Sequence, residues 1–218
     1  MGVVPALTPA QSSALARLNQ TGVLRDVYLA GGVAVALHLG HRQSIDLDLF
    51  TRKPTLDVDS ILDRLRPIGA ATIGFTDATL TVRVGRVPID FVRYPYDAIG
   101  RFTKGPAGVQ IASLRDLAAM KLSAIARRGI RRDFWDLHEI LTRGGRTLHQ
   151  ALDDYRKKFG VSEADVYHVI RALSWFDEAE RDKVMPRGLT APRWKAIRTW
   201  FEDAASTELA RRATRTSR

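Results

Sequence analysis

Apolar and polar residues change period once along this chain. Between Asp26 and Arg93 the apolar residues come in short runs or alternate with polar ones, as strands require. Beyond Ala112 they recur every three or four positions, as helices require. Ahead of both, residues 8–20 predict a first helix, with Thr8 as its cap and Pro9 just inside. Asp26–Ala30 predicts a short strand running into Gly31-Gly32, and residues 33–39 a short buried helix. The alternation Ile45-Asp46-Leu47-Asp48-Leu49 predicts a strand with both carboxylates on one face and the three apolar residues on the other. Residues 57–66 predict an amphipathic helix. Residues 70–93 predict a meander of three strands with turns at Asp77 and Gly85-Arg86, the last strand central and carrying Ile89-Asp90-Phe91. Residues 95–110 read as a loop punctuated by glycine and proline.

The second half predicts helices throughout. Ser113 and Asp116 form a capping-box pattern opening a helix that runs to about Arg128 and stops at Gly129. The next, over 130–144, has Phe134, Leu137 and Leu141 as its apolar stripe, with Asp133 and Asp136 on a more polar side. Further helices are expected over 147–158, 162–180 and 191–212, followed by a frayed basic tail. The fold class is therefore α+β: a small mixed sheet with its helices over 1–110, and a helical C-terminal region over 111–218 packed on it.

Composition narrows the function. The 218 residues contain no cysteine, which excludes disulfides and thiolate metal sites. No apolar run approaches a membrane span and no signal-peptide pattern opens the chain, so the expectation is a cytoplasmic protein with no membrane partner. Net charge is +10, mostly through arginine, which suits a polyanionic partner but equally an inert basic surface.

The chemistry concentrates between Gly31 and Asp133. Two carboxylates about 7 Å apart on one strand face repel each other and gain nothing alone. A hard divalent cation, Mg²⁺ or Mn²⁺, repays that arrangement, held by carboxylates and substrate phosphates. Gly31-Gly32 is either a tight turn or a backbone cradle for phosphate at a helix start. Arg42 and Ser44 are candidates to hold a triphosphate, or plain loop residues. Asp90 either joins the metal site or bonds a neighbour such as Arg93. With Lys121 as a cation for phosphates, the set suits nucleotidyl transfer from an NTP. His38 reads as a packed residue, and Trp135, Trp175, Trp194 and Trp200 as core. Arg127, Arg128, Arg131 and Arg132 either grip RNA phosphates or are solvated.

Gly31-Gly32, Asp46-Leu47-Asp48 and Ile89-Asp90-Phe91 together resemble the signature of the DNA polymerase β-like nucleotidyltransferase superfamily. LAGGVAVALHLGHRQSIDLDLF and SLRDLAAMKLSAIARRGIRRDFWDL resemble, more narrowly, the AbiEii/AbiGii-type nucleotidyltransferase toxins of type IV toxin–antitoxin systems. The likeness covers roughly residues 27–141. It implies that Asp46, Asp48 and Asp90 are metal ligands, that Lys121 contacts nucleotide phosphates and that Asp133 shapes the active site. It also implies a cognate antitoxin, in some relatives one that phosphorylates a residue at the position of Ser44. The implied acceptor is RNA, above all the tRNA 3′ end, whose modification halts translation. Gly31-Gly32 departs from the Gly-Ser of many superfamily members. The alternatives are transfer to a small-molecule or protein hydroxyl at the same site, and a non-catalytic nucleic-acid-binding module.

Overall fold

Helix α1 (Pro9–Gln20) starts where the sequence says it must: Thr8 Oγ1 accepts from Gln11 N while Thr8 N donates to Gln11 Oε1. The computed structural model describes residues 6–183 and 185–216. The chain divides into two units, Met1–Ser113 and Leu114–Arg218.

In the first unit α1 is followed by β1 (Tyr28–Ala30), α2 (Gly31–Leu39), β2 (Leu47–Thr51), α3 (Val58–Leu65), β3 (Ala71–Phe75), β4 (Thr79–Val84), β5 (Val87–Arg93), β6 (Thr103–Lys104) and β7 (Gln110–Ile111). The strands form one mixed sheet in the order β3-β4-β5-β2-β1-β7-β6. β2 runs parallel to β5 and antiparallel to β1, and β3, β4 and β5 form the expected antiparallel meander. One face of the sheet is apolar: Leu47, Leu49, Leu80, Val82, Ile89 and Phe91 are fully buried and lie in register with one another across β2, β5 and β4. Alternation turns the intervening residues to the opposite, half-exposed face.

In the second unit lie α4 (Leu114–Arg127), α5 (Arg131–Arg143), α6 (Leu148–Phe159), α7 (Glu163–Ala172), α8 (Asp177–Arg181) and α9 (Ala191–Thr216). The α5 stripe of Phe134, Leu137 and Leu141 is buried as the spacing predicts, and Phe134 packs on Phe176, Trp194 and Phe201.

Several expectations are corrected. β2 begins at Leu47, so Asp46 sits at a bend one residue ahead of it, and Ile45 is 71% exposed rather than packed with Leu47 and Leu49. The 95–110 loop ends in the small β6–β7 pair. The helix expected over 162–180 breaks after Ala172, where Trp175 turns out to solvent while Phe176 anchors inward. α9 continues through most of the tail expected to fray; residues 217–218 lie outside the described residues, as do 1–5 of the N-terminal segment. Asp133 and Asp136, expected on a polar side, are buried at 1% and 0% exposure.

Candidate active site

The sheet register gathers the chemistry of the first unit into one row. Ala30 of β1 lies opposite Asp48 of β2, Asp48 beside Asp90 of β5, and Asp90 opposite Thr81 of β4. Residues in register on adjacent strands share a face, so the Asp48 and Asp90 carboxylates stand side by side on strands about 5 Å apart. Thr81 Oγ1 donates to Asp90 Oδ1 at 2.6 Å, which fixes that carboxylate and leaves Oδ2 for other use. The neighbour proposed from sequence, Arg93, is not its partner; its Nη1 donates to the Pro54 carbonyl instead.

The glycine turn closes over this row. Gly31 begins α2 with φ +64°, a left-handed conformation that side chains rarely adopt. A Cβ there would overlap Asp48 Oδ2 and lie 2.7 Å from its Cγ. On Gly32 a Cβ would lie 2.5 Å from Arg42 Nη2 and 2.6 Å from Ser44 Oγ. Both glycines are thus required by close approach: Asp48 packs on one, Arg42 and Ser44 on the other. The first amides of α2 have no acceptor within the helix, and its positive end faces the Asp48 carboxylate. Arg42 is buried at 6% exposure, with Nη1 donating to the Gln43 carbonyl at 2.9 Å.

Gln11, buried on α1, ties the approach to β2. Its Nε2 donates to the carbonyls of Ser44 at 2.8 Å and Ile45 at 2.9 Å, while its Oε1 completes the α1 cap. Sequence reading named Thr8 and Pro9 at this helix start and passed over Gln11. Thr81 was also missed, although the two-residue turn at Gly85-Arg86 pairs Val84 with Val87 and so counts back to Thr81 opposite Asp90. His38 is the satisfied residue expected: its Nε2 meets the Ala112 carbonyl at 2.9 Å.

Lys121 and Asp133 come together in the second unit. Lys121 Nζ lies 2.9 Å from Asp133 Oδ1 and 2.7 Å from Asp136 Oδ2, and Arg128 Nε donates to Asp133 Oδ2 at 3.0 Å. Burial works to lower the pKa of the Lys121 ammonium, but the Asp136 and Asp133 carboxylates outweigh it and hold the ammonium above the ordinary lysine value. Burial likewise works to raise Asp133, and Lys121 and Arg128 reverse it, so this carboxyl sits below its usual range. Lys121 and the two carboxylates are shielded from water, while Arg128 closes the set from the exposed side.

The three strand-region aspartates do not form a three-carboxylate cluster. Among the described residues no group of three or more His, Cys, Asp or Glu side chains gathers closely enough to hold a metal ion. What the sheet supplies is a pair of hard oxygen donors, Asp48 and Asp90, under a turn whose missing Cβ leaves room beside Asp48. That donor set fits Mg²⁺ or Mn²⁺, which is usually bound through one or two carboxylates with phosphates and water completing the shell.

Residues 13–211 match the family described as "Nucleotidyl transferase AbiEii toxin, Type IV TA system". An uncharacterized protein of Aquifex aeolicus (strain VF5), aq_aa25, is 29% identical over 197 residues, which cover 88% of this chain and 92% of that protein. The fold is similar to that of MenT4, the nucleotidyltransferase toxin Rv2826c of Mycobacterium tuberculosis H37Rv, with a TM-score of 0.55 at 14% identity over 94% of this chain and 87% of the other.

Proposed function

Because the chain belongs to the AbiEii nucleotidyltransferase toxin family of type IV toxin–antitoxin systems, we propose that it transfers a nucleoside monophosphate from an NTP to an RNA acceptor, the tRNA 3′ end, and so stops translation and growth. Membership implies a nucleotide substrate and a cognate antitoxin; the acceptor and the metal are this proposal's own. No helix among the described residues is long and apolar enough to cross a membrane, and a cytoplasmic setting with access to tRNA is part of the proposal.

One observation carries the reading: Asp48 and Asp90 stand in register on adjacent strands directly under the left-handed Gly31 turn. Like charges opposite one another on strands repel, and a cation shared between the two carboxylates removes that repulsion. Asp48 and Asp90 would hold the cation, while Asp46 stays at the bend ahead of β2, outside the pair. When bound, such an ion neutralises phosphate charge and polarises the reacting oxygens. The amides of Gly31 and Gly32 receive phosphate oxygens, and Arg42 and Ser44, held against Gly32, face the same anion. The acceptor hydroxyl oxygen forms its bond to the α-phosphorus, the bond from that phosphorus to the β-bridging oxygen breaks, and pyrophosphate leaves. Asp90 Oδ2, which Thr81 does not engage, takes the hydroxyl proton. Lys121 and Asp133, which the resemblance assigns to phosphate contact and site shape, are held to each other in the second unit by their buried ion pair.

The test is incubation with each labelled NTP, Mg²⁺ and total tRNA. Label should appear on tRNA, should vanish when the 3′-terminal hydroxyls are oxidised with periodate, and should vanish with Asp48→Asn or Asp90→Asn proteins whose circular dichroism is unchanged. Label on a small molecule or protein instead would overturn the acceptor, and no label on anything would overturn the enzyme reading.

A further inference from the structure

The second unit contains a cleft that the proposed chemistry does not use. It has a volume of about 530 Å³ and lies between the end of α4 and the α7–α8 segment, within the roughly 300–1,000 Å³ of small-ligand sites. Its walls carry Arg127, Arg128, His168, Arg171 and Trp175, with Glu178 as the carboxylate. Trp175 is 62% exposed, whereas Trp135 and Trp194 are buried at 0% and 4%. The local sequence explains that exposure. α7 stops at Ala172, Trp175 N donates to the Ala172 carbonyl at 3.1 Å, and the following Phe176 takes the inward position against Phe134. On the α4 side of the cleft, Gly129 follows the helix with φ +48°, a left-handed conformation that ends it. Arg127 and Arg171 are exposed, and among the described residues neither makes an ion pair. Glu178 is engaged by Arg181, so it does not neutralise them. His168 and Arg171 stand one turn apart on the same face of α7.

We infer that this cleft binds a single-stranded segment of RNA, one base stacking on Trp175 and the flanking phosphates held by Arg127 and Arg171. An aromatic platform between unneutralised guanidinium groups is how proteins hold single strands without reading their sequence. A protein partner with an apolar knob would cover Trp175 but would desolvate the guanidinium groups without compensation. The excess of cations over the whole chain acts in the same direction. The inference rests on the proposed RNA acceptor only for the choice of RNA; the stacking and phosphate contacts stand on the cleft itself. It also reverses the expectation that Trp175 is core.

The test is equilibrium binding of the full chain, without NTP, to a fluorescein-labelled single-stranded RNA dodecamer and to its duplex. The wild-type protein should prefer the single strand, and binding should quench Trp fluorescence. Trp175→Ala should weaken single-strand binding by about five- to a hundredfold, while Trp175→Phe, which keeps a stacking face, should stay within about threefold. Arg127→Glu with Arg171→Glu should weaken it further and flatten the dependence on salt by about 0.7 per lost phosphate contact. The assay reads binding without NTP, so a failure of nucleotidyl transfer remains distinguishable from a failure of this site. Unchanged binding in Trp175→Ala, equal preference for duplex, or loss of affinity only through charge would each overturn the inference.

Discussion

Replacing Lys121 by Met removes the ammonium from a buried set of carboxylates and leaves its hydrocarbon stem. Asp133 and Asp136 are 1% and 0% exposed, so neither can turn to water without opening the packing of α4 on α5. Removing one partner of a buried ion pair costs about 3–5 kcal/mol, because the other charge stays behind uncompensated. Spread over a helical unit of this size, that lowers the melting temperature by on the order of 10 °C or more. The pH dependence follows from the signs. In the wild type Asp133 has a depressed pKa, so its contribution is present above the unfolded value and is lost as pH falls through the folded one. In Lys121→Met the burial of Asp133 is less opposed, and its pKa rises above the depressed wild-type value. The variant's deficit should therefore be greatest near about pH 8 and shrink toward about pH 5. Thermal melts of wild type, Lys121→Met and Lys121→Met/Asp136→Leu across that range measure it, with the double variant recovering part of the loss. A melting temperature within about 2 °C of wild type at pH 8, or a deficit that does not change with pH, would refute the buried-triad reasoning. It would return Lys121 to a purely substrate-facing role, visible as a raised KM for NTP in Lys121→Arg.

Two further variants probe the site and the frame. Gly31→Ala introduces a Cβ where Asp48 Oδ2 sits and forces alanine to φ +64°. It should lower tRNA labelling by about a hundredfold, at a stability cost of about 1–3 kcal/mol read from urea unfolding. Glu139 is held at about 2: burial would raise it, but His138, Arg193 and Arg143 together pull it down. Glu139→Gln should therefore melt lower than wild type above about pH 5, with the gap closing as pH falls from 4.5 toward 2.

The first unit was largely legible because its signals are local. Short β-branched runs, a two-residue turn at Gly85-Arg86 and alternation around Ile89 fix the meander and so put Asp90 on the same face as Thr81. The glycine turn was legible as a motif, and its reason, contact with Asp48 on one side and with Arg42 and Ser44 on the other, emerges only from tertiary packing. The start of β2 was missed by two residues because alternation continues through Ile45 and Asp46, while Gln11 pins the backbone at Ser44 and Ile45 in a loop. In the second unit the helices were legible but their charged faces were not. Pattern reading puts Asp133 and Asp136 on a polar side and makes Lys121 a cation for phosphates; the structure buries all three because each finds a counter-ion several turns away in sequence, as Lys158 does with Asp116 at 2.8 Å. Trp175 erred in the opposite sense. Nothing in its own type marks it as exposed; the break of α7 after Ala172 does.

The two units break the ordinary rules of sequence design in different ways, and the difference separates chemistry from architecture. Buried charges in the helical unit are compensated: Lys121 by Asp133 and Asp136, Lys158 by Asp116, and Glu139 by Arg143 and Arg193. Violations in the sheet unit are of another kind. Asp48 and Asp90 place like charges in register, and Gly31 holds a left-handed turn that leaves no room for a side chain. Such features weaken a fold and persist where a ligand needs them. Neutralising Asp48 relieves the repulsion, worth about 0.2–1 kcal/mol for opposed like charges. The Asp48→Asn chain that loses transfer should thus melt no lower than wild type. A clearly lower melting point would mean that the carboxylate supports the sheet through the α2 turn, and that its place under Gly31 is structural before it is catalytic.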